Sequence, residues 1–290
     1  MRILILGATG MVGQSVLRII EANSSLSVVG TTTRRDSRTN LTRFCWPQDS
    51  LERLVDKVSP EVILNLAAKL DNKSIDIDDV AQQEMFALNS DLLSSLSLMS
   101  EKVKLIHMST DGVFSGRNPP YTEESATDGE GIYAKSKIQG ELNITNGKIL
   151  RCSVIGRSPN PSISIPNLLL RQKQNAVMKI SNNELWNGIT SSALAEFISS
   201  LLINNLLNSM NRIQHVIPRY PLSKIELFQE VSKAVGREDI RFVSTMTDEP
   251  RSRILVTREI EFLTQVWEKT SFGKIPSIEE MLERSDFSIA

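Results

Sequence analysis

Tyr133 and Lys137 frame the pentapeptide Tyr133-Ala134-Lys135-Ser136-Lys137, a spacing that on a helix sets a phenol and an ammonium side by side on one face. That pairing suits proton transfer. A free phenol titrates near about 10, too high for an efficient acid at neutral pH, and a cation within a few ångströms favours the phenolate and lowers that value. Hydroxyls of a second kind appear in residues 105–116, where an apolar run ends in Ser109-Thr110-Asp111-Gly112. Ligands in an open parallel sheet bind beyond the carboxyl ends of the strands, which is where Ser109 and Thr110 would sit.

Such groups need a scaffold and a cradle for whatever they act on. The chain opens with the apolar run Arg2-Ile3-Leu4-Ile5-Leu6, fit for a fully buried strand. It leads directly into Gly7-Ala8-Thr9-Gly10-Met11-Val12-Gly13 and then a helical pattern through Val16, Leu17, Ile19 and Ile20. Strand, glycine turn and helix together allow close backbone approach, so a pyrophosphate can rest on unpaired N–H groups at the positive end of the helix dipole. The spacing is Gly-x-x-Gly-x-x-Gly, which differs from the Gly-x-Gly-x-x-Gly of the dehydrogenase fingerprint.

Further strands are expected at residues 26–31, 62–66, 103–108 and 148–154, with helices at 51–58, 80–99 and 133–144. That alternation predicts an α/β fold built on a Rossmann-type, doubly wound parallel sheet. Arg157-Ser158-Pro159-Asn160-Pro161 marks a passage out of the first domain. The second strand runs into Thr31-Thr32-Thr33-Arg34-Arg35 with no acid at its tip. An acid there would hold a ribose 2′-hydroxyl and an arginine would accept a 2′-phosphate, so NADPH is expected over NADH, with Arg34 or Arg35 on the phosphate.

Taken in order, these segments resemble the extended short-chain dehydrogenase/reductase family and, within it, the dTDP-4-dehydrorhamnose reductase group. Gly7 to Gly13 is similar to the family's glycine loop, and Asn65-Leu66-Ala67-Ala68 to its Asn-x-Ala-Ala. Ser109-Thr110-Asp111-x-Val113-Phe114-x-Gly116 resembles the group's Ser-Thr-Asp-Tyr-Val-Phe-x-Gly. Pro120-Tyr121-Thr122-Glu123-Glu124 and Tyr133-x-x-x-Lys137-x-x-Gly140-Glu141 follow in the expected order.

The resemblance implies Thr110 as the catalytic hydroxyl, Tyr133 as proton donor, and Lys137 as the residue that holds the nicotinamide ribose and depresses the tyrosine pKa. It implies cofactor contacts from Gly7, Thr9, Gly10, Met11, Val12, Gly13, Leu66, Ala67 and Ala68, with Tyr133 and Lys137. Asp111 and Phe114 would lie by the reacting sugar, and Arg253 or Arg251 could hold a diphosphate. Two hydroxyls and an ammonium suit the negative charge that builds on a carbonyl oxygen as hydride arrives.

The resemblance also implies a smaller C-terminal substrate-binding domain. The nucleotide domain would then comprise residues 1–157 with 181–215 returning to it, and the substrate domain 158–180 and 216–290. Three departures stand out: Gly112 replaces the group's tyrosine, Ser153-Val154-Ile155-Gly156 lacks an expected tryptophan, and Asp128-Gly129-Glu130-Gly131 replaces a proline-containing approach to Tyr133.

The expected activity is NADPH-dependent reduction of a 4-keto group on a nucleotide-activated deoxysugar, supplying surface polysaccharide. One alternative is an NAD-dependent nucleotide-sugar epimerase or dehydratase, which Gly112 and the missing acid after the second strand disfavour. Another is a non-catalytic regulatory binder resembling the β subunit of methionine adenosyltransferase.

A formal net charge of -1 over 290 residues, with no run of five like charges, gives no bulk attraction to nucleic acid or anionic membrane. No apolar stretch approaches the roughly 18 residues of a membrane span. Cys45 and Cys152 have no Cys-x-x-Cys spacing, and His107 and His215 have no acidic or sulfur neighbour in sequence, so neither a disulfide framework nor a metal site is expected. A cytoplasmic location is the simple expectation, and a homodimer stays open.

Overall fold

The computed structural model describes residues 1–34, 36–70, 78–100, 102–159, 164–285 and 287. Its first half alternates strand and helix: β1 (Arg2–Leu6), α1 (Met11–Glu21), β2 (Ser27–Thr32), β3 (Leu41–Arg43), α2 (Leu51–Val58), β4 (Val62–Asn65), α3 (Asp79–Phe86), α4 (Leu92–Met99), β5 (Lys104–Ser109), α5 (Gly131–Asn143) and β6 (Lys148–Arg151). Between α3 and α4 the chain makes one wider π turn, Ala87–Asp91. The second half comprises β7 (Val154–Ile155), α6 (Ile165–Leu170), β8 (Val177–Ser181), β9 (Leu185–Trp186), β10 (Ile189–Thr190), α7 (Ser191–Ile203) and β11 (Ile213–His215). It ends with β12 (Leu222–Ser223), α8 (Lys224–Ala234), β13 (Arg241–Thr245), α9 (Ile260–Glu268) and α10 (Ile278–Glu283).

Seven strands form one parallel sheet in the order β11-β6-β5-β4-β1-β2-β3. The order reverses between β1 and β4, which opens a crevice at the carboxyl ends of those strands. β1 shows why the sequence reads as a continuous apolar run. Ile3 and Ile5 face a core shared with Val16, Leu17 and Ile20 of α1 and Leu194 and Ile198 of α7. Leu4 and Leu6 face the opposite core of Leu51, Leu54, Leu92 and Leu96. Both faces are covered by helices, so neither can be polar.

Register carries the first consequence for function. Leu6 lies beside Asn65, and Asn65 beside His107, so the ends of β1 and β4 lie level with His107, two residues before the end of β5. β8 pairs in parallel with β13, and β9 antiparallel with β12, as small sheets apart from the main one. α9, in the stretch expected to belong to the substrate domain, packs on α7: the Trp267 and Phe197 rings lie 5.2 Å apart, and Ser200 Oγ donates to the Val266 carbonyl. A single apolar core runs from β1 through α7 to Leu227 and Val231 of α8 and Met281 of α10.

Candidate active site

The turn after β1 is possible only with glycine. Gly7 has φ +80°, and a Cβ there would lie 2.8 Å from the Ala67 backbone. At Gly13 a Cβ would stand 2.1 Å from the Gly7 carbonyl oxygen. Gly10 caps α1 with no side-chain hydrogen bond, and the first turn of α1 carries no acid. The helix therefore opens on N–H groups with no side chain satisfying them, a cradle that fits the diphosphate of a dinucleotide. Met11 and Val12 supply only backbone to that cradle: Val12 packs toward the core, and Met11 borders a separate cavity with Ser15 and Ser191.

A cavity of about 270 Å³ adjoins the turn, lined by residues that include Gly7, Thr9, Gly10, Trp46, Ala67 and Ala68. Leu66 and Thr31 to Thr33 also line it, and the Thr31 hydroxyl accepts the Gly7 N–H. Arg34 is exposed just beyond Thr33, and its N–H donates to Thr32 Oγ1. Arg35 lies outside the described residues. Asp36, the first acid after β2, is tied to Arg38 at 2.8 Å, and that hydrogen bond holds its carboxyl down at about 2.

Thr110 follows β5 and caps a short 3-10 turn, its Oγ1 accepting the Gly112 N–H at 3.0 Å and donating to Asp111 Oδ1 at 3.1 Å. A Cβ built on Gly112 would lie 3.3 Å from Thr110 Oγ1 and 3.4 Å from Cε1 of Tyr133. The hydroxyl and the phenol ring thus flank one point. One turn along α5, the Lys137 side chain is only 2 % exposed; its Nζ donates to the Met108 carbonyl at 2.9 Å and lies 3.1 Å from His107 Nε2. Burial pushes the Lys137 amine down to about 8, with Glu141 opposing. Thr110, Tyr133 and Lys137 are thereby brought together at the carboxyl end of β5.

The expected substrate residues divide. Asp111 is half-buried next to Thr110; burial pushes its carboxyl up, and the nearby charge of Arg253 opposes that shift. Arg253 itself is exposed, while Arg251 is engaged with Glu130 at 3.1 Å. Phe114 does not line the site. It is wholly buried and stacked on Tyr121 at 4.3 Å, with the Arg151 guanidinium over its ring, so it supports the loop from beneath.

A model of the RmlD substrate binding domain matches residues 1–285. The chain belongs to that family.

Among curated relatives, the β subunit of methionine adenosyltransferase 2 from Danio rerio is 31% identical over 143 residues, 49% of this chain and 43% of the relative. A dTDP-4-dehydrorhamnose reductase from Sinorhizobium fredii is 36% identical over 102 residues, 33% of each chain. The matched part of this RmlD-family chain thus spans less than half of those relatives. Among solved structures, a dTDP-4-dehydrorhamnose reductase from Clostridium acetobutylicum superposes with TM-score 0.74 at 18% identity, covering 98% of both chains. Another, from Bacillus anthracis in complex with NADP, gives TM-score 0.72 at 19% identity, again over 98% of both. At these identities the likeness establishes the fold.

Two features of this RmlD-family site give roles to motif residues Gly140 and Glu141 that the sequence left without one. Asn89, in the π turn, accepts the Lys69 N–H and donates to the Lys69 carbonyl and to Ser136 Oγ on α5. Gly140 presses on the Asn89 carbonyl, where a Cβ would stand 2.1 Å away, so the π turn and α5 are locked together behind Tyr133 and Lys137. The second is a buried ion pair: Arg151 donates through Nε and Nη2 to Glu141, which also accepts from Ser109 Oγ. Its sequence trace is the glutamate that ends the Tyr133-x-x-x-Lys137-x-x-Gly140-Glu141 motif, while its partner Arg151 lies ten residues on, in β6. Among the described residues no three His, Cys, Asp or Glu side chains cluster to hold a metal, and no helix is long and apolar enough to cross a membrane.

Proposed function

We propose that the chain is an NADPH-dependent reductase of a 4-keto group on a nucleotide-activated deoxysugar, with Thr110, Tyr133 and Lys137 as its catalytic set. The observation that carries this reading is the meeting of the Thr110 hydroxyl and the Tyr133 ring at Gly112, with Lys137 one helical turn behind and the glycine cradle across the sheet's reversal point. The nicotinamide, when bound, supplies the hydride. Gly7, Gly10 and Gly13 let the backbone receive the diphosphate, the wall from Leu66 to Ala68 borders the adenosine side, and Arg34 takes the 2′-phosphate.

Tyr133 donates its proton to the carbonyl oxygen as charge grows there. Thr110 gives up its contact with Asp111 to donate a second hydrogen bond to the same oxygen. Asp111 and Arg253 flank the sugar. Gly112, where the group carries a tyrosine, removes an aromatic contact that such a relative could make to the sugar. The product would feed surface polysaccharide in the cytoplasm, and the reading includes a homodimer, which sedimentation would test.

NADPH oxidation by the purified chain with a panel of 4-keto nucleotide sugars tests the proposal; no oxidation with any of them would reject it. A regulatory role forms the second reading, favoured by the recurrence of methionine adenosyltransferase 2 β subunits among the relatives at about 30% identity. Copurification with a synthetase subunit, together with silence in the reductase assay, would decide for it.

A further inference from the structure

Behind the proposed catalytic set lies a row of buried polar groups. Asn65 of β4 is wholly buried, His107 of β5 is 1 % exposed and Lys137 of α5 is 2 % exposed. Asn65 Nδ2 lies 3.1 Å from His107 Nδ1, and His107 Nε2 lies 3.1 Å from Lys137 Nζ. At the near end, the Ala67 backbone N–H donates to Asn65 Oδ1 at 3.2 Å.

A backbone N–H can only donate, so its contact fixes which end of the Asn65 amide is oxygen. The NH₂ end then faces His107 Nδ1, which must be the acceptor and carry no proton. Neutral imidazole has one N–H, so that proton sits on Nε2 and points at Lys137. The amine satisfies it only by accepting, with its lone pair, while one of its own hydrogens goes to the Met108 carbonyl. An ammonium in the same place would require His107 to accept at Nε2 and carry its proton on Nδ1, where it would confront the Asn65 NH₂. Turning the Asn65 amide would then set two donors against each other at Ala67.

We infer that Ala67, Asn65 and His107 form a proton-ordering relay that holds Lys137 as a hydrogen-bond acceptor, making His107 the positioning residue that sets the amine's affinity for a proton. The functional meaning rests on the reductase reading; the proton positions do not. Burial favours the same neutral amine, and Glu141 on the next turn of α5 opposes it. Glu141 is itself neutralised by Arg151 of β6, and Tyr133 is the remaining titratable group on that face of α5. Burial alone holds the His107 pKa well below its ordinary range, and a proton on Lys137 would lower it further, so the imidazole is neutral in either case. Because Ala67 borders the cofactor cavity, a proton gained by Lys137 is felt through Asn65 at the wall that adenosine would touch.

The chain contains two histidines, and His215 provides an internal contrast, since its Nδ1 faces the Val256 carbonyl at 2.8 Å and must be the protonated nitrogen there. Long-range ¹H–¹⁵N correlation spectra of the ligand-free, ¹⁵N-histidine-labelled full chain, recorded at about pH 9 so that Lys137, with its midpoint at about 8, is neutral, should show one neutral histidine of each tautomer, His107 protonated at Nε2 and His215 at Nδ1. Asn65→Asp offers only acceptors to His107. It should move the His107 proton to Nδ1 and raise Lys137's proton affinity by about tenfold or more, read as an upward move of its ¹³Cε titration midpoint. An Nδ1–H tautomer at His107 in the parent protein would overturn the inference, as would an unchanged tautomer in Asn65→Asp. Because no turnover is measured, loss of the reductase proposal would leave this result standing, and the reverse.

Discussion

Lys137→Met isolates what it costs to keep an amine at the heart of the site. A fall of the Lys137 midpoint from its ordinary 10.5 to about 8 corresponds to roughly 3 kcal/mol of differential stability. The folded pKa lies below the unfolded one, so between pH 8 and 10.5 the unfolded chain binds more protons and stability rises with pH; below about 8 the full penalty is present. Methionine of similar length removes that penalty and loses the bonds to the Met108 carbonyl and His107, together about 1 to 2 kcal/mol. The variant should therefore be about 1 to 2 kcal/mol more stable than the parent near neutral pH. By pH 10.5 that advantage should have reversed, because the amine is then neutral in the folded chain and half-neutral in the unfolded one, which leaves only a few tenths of a kcal/mol of the penalty. Urea unfolding of both proteins across that range measures the difference directly, and titrations common to both cancel. A stability difference that does not change with pH would refute the reasoning, because it would mean that Lys137 titrates alike in the folded and unfolded chain.

Gly13→Ala places a methyl against the fixed Gly7 carbonyl oxygen and should cost about 1 to 3 kcal/mol by thermal unfolding while abolishing NADPH binding by fluorescence titration. Arg151→Met strands the Glu141 carboxylate in the interior and should destabilise by about 3 to 5 kcal/mol, with most of the loss recovered when Glu141→Met is added. Arg34→Ser removes a charge-assisted contact to the 2′-phosphate and should raise the KM for NADPH by about tenfold while leaving that for NADH unchanged.

What could be read from residues alone follows from how locally each feature is encoded. β1 and the turn after it are legible because a strand buried on both faces needs every residue apolar and the turn needs glycine at 7 and 13. α2 is legible at residues 51–58 because Leu51, Leu54 and Val58 mark one buried face. β3 has no such signature, being three half-buried or exposed residues. The expected helix over residues 80–99 contains a π turn, since hydrophobic periodicity does not record a local change of hydrogen-bond register. Phe114, which the family resemblance placed by the sugar, is wholly buried between Tyr121, seven residues on, and Arg151 of β6, a packing across the sheet that no local pattern records. The tautomer of His107 is of the same kind, since it depends on Ala67, Asn65 and Lys137 meeting across two strands and a helix.

Tyr133 carries the central claim, and single-turnover oxidation of NADPH with a 4-keto nucleotide sugar, compared between the parent protein and Tyr133→Phe, tests it most directly. The account predicts rapid oxidation by the parent, near-equal NADPH affinity in both, and a rate lower by about 10²-fold or more in the variant. Equal rates in the two proteins would contradict it, because the phenol would then supply no proton.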